Sequence, residues 1–212
     1  SSLDGSGRPG PGMTVSHPPV NTRLARIAGA VRAQAPVLAG RDGEWYEAAV
    51  ALILREARGG DLELLFIERA ARATDPWSGQ IAFPGGRREA ADASLEDTAV
   101  RETREEVGLD LRRNGAIVGA LDELRPRTIV LPPVIVRPFV ATARAEARVG
   151  SVGEVAGFFW APLDAVLDPA AAGEREIVVR GSASLRPAIE YEGHVIWGMT
   201  ERILRRFEEV IR

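Results

Sequence analysis

Hydrophobic positions fall into short runs along this chain, and their spacing divides it into strands and helices. Glu47–Arg55 (EAAVALILR) and Leu62–Arg69 (LELLFIER) are apolar-rich segments joined by Gly59-Gly60-Asp61, a pattern that predicts a hairpin-like strand pair. Ahead of them, Leu24, Ile27, Ala28 and Val31 recur at helical spacing behind Asn21, a good capping residue, so a short amphipathic helix to about Gln34 is expected. That helix packs on the domain or on a partner subunit, which leaves a homodimer open. Gln80–Phe83 reads as a short strand, as do Ala116–Leu121, Val134–Ala141 and Val155–Trp160. Prolines mark ATDPWSG (73–79) and ELRPRTIVLPP (123–133) as loops, and Pro162 precedes a short helix over Leu163–Leu167. Turn-like and β-prone residues fill Glu176–Glu192, and Ile203, Leu204, Phe207 and Ile211 give a final helix its apolar face.

The stretch between the second and third of these strand groups carries the chemistry. Ala99, Val100, Thr103 and Val107 form one stripe of a helix expected over Leu95–Val107, with Ser94 as N-cap, Asp97 as its partner and Gly108 at the C-terminal exit. Glu102, Glu105 and Glu106 share a different side, because residues three and four apart are neighbours on a helix. Each like-charge pair costs a few tenths of a kcal/mol, so the cluster calls for full solvation or a bound cation. All-oxygen ligation selects Mg²⁺ or Mn²⁺ over Zn²⁺. Just upstream, Phe83-Pro84-Gly85-Gly86 forms a turn whose missing side chains let the backbone approach a ligand or metal.

Arg101-Glu102-Thr103-Arg104-Glu105-Glu106-Val107-Gly108-Leu109 resembles the core of the Nudix box. Counted from Gly86, the first glutamate of that pattern falls on Asp92, eight residues instead of seven precede Arg101, and Thr103 replaces an aliphatic residue. The shifted box is similar to the branch containing coenzyme A pyrophosphatases. Leu64, Leu65, Arg69, Gly79 and Phe83-Pro84-Gly85-Gly86 follow the outline of that branch's second signature, with Phe66 in place of Thr and Ala70 in place of Ser. Ile196-Trp197-Gly198 and Thr200 resemble the start of its last helix.

The resemblance implies an α/β Nudix fold, a mixed β-sheet sandwiched between α-helices, and hydrolysis of a pyrophosphate bond in a small-molecule nucleotide substrate. The most specific expectation is coenzyme A or an acyl derivative, cleaved to 3′,5′-ADP and phosphopantetheine; ADP-ribose or another nucleotide sugar is the alternative, and a catalytically silent nucleotide-sensing domain is a third. By the same resemblance Glu102 and Glu106 ligate Mg²⁺ or Mn²⁺, Glu105 binds a second ion or orients water, and Arg101 holds Glu105. A glutamate outside the box serves as base or ligand, with Glu154 the first candidate beside Glu174 and Glu176. Arg69, Gly85, Gly86, Arg125 and Arg127 are the candidate substrate contacts, the last two being equally readable as solvated loop arginines.

Composition narrows the alternatives only a little. The 212 residues are 45% hydrophobic and 27% charged, enough for one domain with an appendage, and a net charge of -3 provides no broad footprint for nucleic acid. Every basic side chain other than histidine is Arg, which suits planar phosphate recognition. Without cysteine there are no disulfides or thiolate metal sites, and no apolar run is long enough to span a membrane, so a cytoplasmic protein is expected. Residues 1–12 read as a disordered expression scar before Met13, 13–44 as an N-terminal arm and 45–212 as the Nudix domain. His17, His194 and Trp77 read as tail, turn and loop-anchoring residues ahead of any catalytic role.

Overall fold

The structure is a computed structural model that describes residues 21–71, 79–127, 133–153 and 155–212. His17, Arg72, Trp77 and Glu154 lie outside the described residues, as does the segment before Asn21. Helix α1 (Thr22–Ala33) begins where Asn21 accepts the Leu24 N–H on its side chain at 3.0 Å. Strands β1 (Tyr46–Glu56) and β2 (Leu62–Arg69) form the antiparallel hairpin, with Leu54 opposite Leu64. Two short strands follow, β3 (Ile81–Ala82) on β2 and β4 (Gly85–Arg87) on β1.

Helix α2 spans Leu95–Val107, capped by Ser94, whose side chain accepts the Asp97 N–H, and released by Gly108 at φ 69°. A single helical turn, α3 (Leu111–Asn114), then leads into β5 (Gly115–Ala120) and β6 (Val134–Ala143). Its four residues carry no periodic signal in the sequence; Asp110 caps it by accepting the Arg112 and Arg113 N–H groups. Strand β6 runs parallel to β1 over nine residue pairs, from Tyr46 opposite Val134 to Leu54 opposite Thr142. Strand β7 (Val155–Pro162) pairs with β2, and α4 (Leu163–Leu167) follows. The sheet therefore joins seven strands with one parallel pair.

Period-two alternation sends the side chains of β1 to two cores. Leu52 and Leu54 join Leu64, Phe66, Ile27, Val31, Leu204 and Phe207 on one face, whereas Ala49, Ala51 and Ile53 meet Leu95, Ala99 and Val107 of α2 on the other. The sheet is thus sandwiched between helices, and α1 packs in the first core of its own chain. A second sheet contains β8 (Ala172–Val179), β9 (Ser182–Tyr191) and β10 (His194–Trp197). Helix α5 (Gly198–Ile211) closes the chain. Ile196 and Trp197, expected at the start of that helix, instead end β10, where Ile196 pairs with Ile189; the helix opens at Gly198. His194 begins β10 and stacks on Phe159 at 4.0 Å between ring centroids.

Candidate active site

The glutamates sit on the side of α2 that turns toward β4, while Thr98, Ala99, Thr103 and Val107 are buried against the sheet. Thr103 tolerates burial because its hydroxyl donates to the Ala99 carbonyl at 2.7 Å. Glu106 Oε2 accepts the Gly85 backbone N–H at 2.8 Å, and Glu106 Oε1 stands 4.0 Å from Arg69 Nη1. Glu102 packs on Gly86 so closely that a Cβ there would fall 2.5 Å from its carboxyl carbon. The turn and the helix are therefore locked by backbone approach that only glycine permits.

Arg101 ties the carboxylates together. Its Nε and Nη2 donate to the two oxygens of Asp92 at 3.0 and 2.9 Å, its Nη1 to Glu102 and Glu105 at 2.9 and 3.0 Å, and Nη2 also to the Arg87 carbonyl at 2.9 Å. Asp92 is buried, and it further accepts the Glu89 N–H and the Thr98 hydroxyl. The Arg101 hydrogen bonds hold its carboxyl well below the usual carboxylate range. Burial pushes the Glu102 carboxyl up, against the pull of Arg101.

A chain of ion pairs supports this turn from outside. Arg88 bonds Glu47 at 2.9 Å, Arg41 bonds both Glu47 at 3.1 Å and Glu123 at 2.7 Å, and Arg137 bonds Glu123 at 2.6 Å. The Glu123 side chain is fully buried. Burial would raise its carboxyl, yet Arg41, the Ala39 N–H and Arg137 hold it down at about 2. Because the folded value lies below the ordinary value of 4.5, this stabilisation is complete above that pH and disappears as pH falls toward 2. Wild type is expected to lose about 3 kcal/mol more than Glu123→Gln between pH 5 and pH 2. Urea unfolding of both proteins across that range checks it; parallel curves would remove Glu123 as the source.

On the opposite face of the sheet, a cleft of about 370 Å³ reaches the same glycine turn. Ala48, Val50, Val134, Val136, Met199 and Ile203 give it apolar walls, and Arg69, Gly85, Gly86 and Arg87 form its end at the turn. The arrangement offers an apolar pocket for a ring system or chain, with cations at the end that meets the glycine turn.

Residues 45–180 match the family model described as the NUDIX domain. The chain belongs to the Nudix family. A Nudix hydrolase of Citrobacter koseri is 34% identical, covering 75% of this chain and 79% of its own. The peroxisomal coenzyme A diphosphatase of Mus musculus is 30% identical over 69% of this chain and 63% of its own. An uncharacterized Schizosaccharomyces pombe protein is 40% identical over 50% of this chain, which spans 33% of that relative's length. The solved NUDIX domain of Shewanella oneidensis NrtR, complexed with ADP ribose, shares the fold at TM-score 0.54 and 14% identity, over 87% of this chain and 98% of that one.

Within the Nudix box, the structure brings Arg101, Glu102, Glu105 and Glu106 together with Gly85 and Gly86, and Arg69 reaches the same place from β2. Asp92 holds Arg101 across the longer connection. Arg125 is turned elsewhere: it bonds the Gly40 carbonyl and Asp42 and lies over the Trp45 ring at 4.2 Å. Arg127 is exposed in the same loop, and Glu174 and Glu176 are exposed on β8 of the second sheet. Arg87 and Asp92 were not among the predicted site residues, although each directly flanks a residue that was or occupies a box position. Among the described residues, no three acidic or histidine side chains converge on a single point: Glu106 accepts the Gly85 N–H, whereas Glu102 and Glu105 share Arg101. The donor set nevertheless fits a hard divalent cation, being wholly oxygen, and the bare Gly86 lets the Glu102 carboxylate approach the turn where a Cβ would clash with it. No helix of the described residues is long and apolar enough to cross a membrane.

Proposed function

We propose that this protein hydrolyses the pyrophosphate bond of a nucleoside diphosphate derivative, and that coenzyme A or acyl-coenzyme A is the substrate, with 3′,5′-ADP and phosphopantetheine as products. The observation that carries the reading is the glutamate face of α2 meeting the Gly85-Gly86 turn, where the apolar cleft ends in arginines. Glu102, Glu106 and, for a second ion, Glu105 would hold Mg²⁺ or Mn²⁺. When bound, the cation supplies charge neutralisation of the diphosphate and lowers the pKa of water. Arg101 keeps Glu102 and Glu105 oriented, and Asp92 fixes Arg101 in turn. The base outside the box is assigned to Glu154 from its place in the sequence, immediately before β7. A cytoplasmic location is part of the same proposal.

The coenzyme A assignment draws support from the 30% identity to the mouse coenzyme A diphosphatase and from the resemblance of Phe83-Pro84-Gly85-Gly86 to the second signature of the coenzyme A pyrophosphatase branch. Phe66, which departs from that signature, is fully buried and stacks on Phe83 and Phe159 at 5.0 and 5.4 Å, so the departure concerns packing. The 3′-phosphate would call for a further arginine. Arg127 qualifies: its neighbour Arg202, which donates to the Arg125 carbonyl at 2.8 Å, is depressed first by burial and then by the charge of Arg127, with Glu201 offsetting part of it. An anion between them would relieve that repulsion.

The test compares coenzyme A, dephospho-coenzyme A and ADP-ribose as substrates with Mg²⁺ and with Mn²⁺. We expect kcat/KM about tenfold or more higher for coenzyme A than for its dephospho form, the worth of one charge-assisted contact. Equal rates on the two, or faster ADP-ribose hydrolysis, would replace coenzyme A by the nucleotide-sugar reading. Binding without turnover of any of the three would favour a sensing domain.

A further inference from the structure

Four arginines surround the glycine turn: Arg69 stands 4.0 Å from Glu106 Oε1, and Arg88 and Arg101 are taken up by hydrogen bonds. Arg88 donates to Glu47 at 2.9 Å and to the Asp92 and Ala93 carbonyls, and Arg101 is saturated by Asp92, Glu102, Glu105 and a backbone carbonyl. Arg87 is different. Among the described residues its guanidinium carries no hydrogen bond and no ion pair, and it lies on the Tyr46 ring, 3.7 Å from the centroid. The ring fixes the guanidinium without neutralising it, since an aromatic face attracts a cation but carries no net charge. The cost of ordering a long, flexible side chain is thereby met before any ligand arrives.

Strand register decides where that cation points. Arg87 pairs with Ala48 across β1 and β4, and Ala48 pairs with Val136 across β1 and β6. Paired residues share a face, so Arg87 stands over the floor made by Ala48, Val50, Val134 and Val136, inside the cleft and next to Gly86. Tyr46 precedes Ala48 by two residues on that face and backs Arg87 from the rim. A diphosphate arriving at the glycine turn meets the repulsion of Glu102, Glu105 and Glu106, and needs a free cation on its other side.

We propose that Arg87 is the substrate-gripping arginine of this cleft, binding the diphosphate beside Gly86, and that Tyr46 is its positioning residue. The inference rests on the reading that the cleft takes a nucleoside diphosphate derivative. It assigns the contact to one residue.

The test uses the full chain with four variants, Arg87→Gln, Arg87→Lys, Tyr46→Phe and Tyr46→Leu, each checked for an unchanged thermal midpoint. Two readouts are taken: steady-state hydrolysis of coenzyme A and ADP-ribose with Mg²⁺, and calorimetric binding of α,β-methylene-ADP against adenosine to metal-free protein. Arg87→Gln should raise KM by about tenfold to a hundredfold, alter kcat much less, and remove the preference of wild type for the diphosphate over adenosine. Arg87→Lys should recover only part of it, because the planar fork is lost. Tyr46→Phe should behave as wild type, whereas Tyr46→Leu should raise KM several-fold.

Wild-type KM and analogue affinity in Arg87→Gln would overturn the inference, and so would identical behaviour of Tyr46→Leu and Tyr46→Phe. If wild type hydrolyses neither substrate but analogue binding still depends on Arg87, the inference stands and the hydrolase reading falls. If wild type hydrolyses a substrate while Arg87→Gln is indistinguishable, the inference alone falls. Absence of both hydrolysis and analogue binding in wild type overturns both.

Discussion

Replacing Glu106 by Gln is expected to lower kcat about a thousandfold, equivalent to about 4 kcal/mol of lost transition-state stabilisation, while the folded protein survives. Glutamine is the right replacement because it keeps a side-chain oxygen that can accept the Gly85 N–H, the 2.8 Å bond that ties the helix to the turn. What it removes is one negative charge from a face shared with Glu102 and Glu105. Without metal the variant should melt at the wild-type temperature or slightly above, since a like-charge interaction is relieved. The measurements are turnover at saturating Mg²⁺ and a melt followed by circular dichroism. A well-folded variant with near-normal turnover would take Glu106 out of the metal site.

The two turn glycines should fail in opposite ways. A Cβ on Gly85 would lie 2.2 Å from the Ala49 carbonyl oxygen and 2.6 Å from the Val50 Cα, both backbone atoms of β1 that have nowhere to go. Gly85→Ala is therefore expected to cost about 3 kcal/mol or more of stability. A Cβ on Gly86 would instead meet the Glu102 carboxylate at 2.5 Å, and a side chain can swing away. Gly86→Ala should fold, melt within a few degrees of wild type, and lose Mn²⁺ affinity and roughly a hundredfold or more of activity, because Glu102 is displaced. Gly86→Val should show the same loss more strongly. Melting curves and Mn²⁺ titrations of the variants check this; a stable Gly85→Ala protein, or unchanged Mn²⁺ affinity in Gly86→Val, would show that the turn is a simple connector.

Helix α2 was legible in the sequence, expected over about Leu95 to Val107 and found there, and the reason is local. Its cap at Ser94, its two stripes and its exit at Gly108 are contacts within four residues of one another, so their spacing is visible in a linear string. The same holds for α1 behind Asn21 and for the β1–β2 hairpin across Gly59-Gly60. The same spacing in α2 placed Glu102, Glu105 and Glu106 on one side of the helix, and resemblance to the Nudix box added the expectation of a metal there. The tertiary structure decided the features that depend on distant partners.

Parallel pairing of β1 with β6 joins residues nearly ninety positions apart, as from Tyr46 to Val134, and no periodicity encodes it. Arg125 and Arg127 looked alike as loop arginines, yet Asp42, Gly40 and Trp45 claimed the first and Arg202 neighbours the second. Glu123 gave no sign of being fully buried, because its cost is met by Arg41 and Arg137 from other elements. Arg87 was hidden for the same reason: its place in the cleft is set by the β1–β4 register and its posture by the Tyr46 ring. Sequence by itself determined the elements, the box and the donor chemistry, since these follow from short-range spacing and residue type. Which charges are spent on the fold and which remain for a ligand was decided only by packing, because neutralisation depends on what each side chain meets across the sheet.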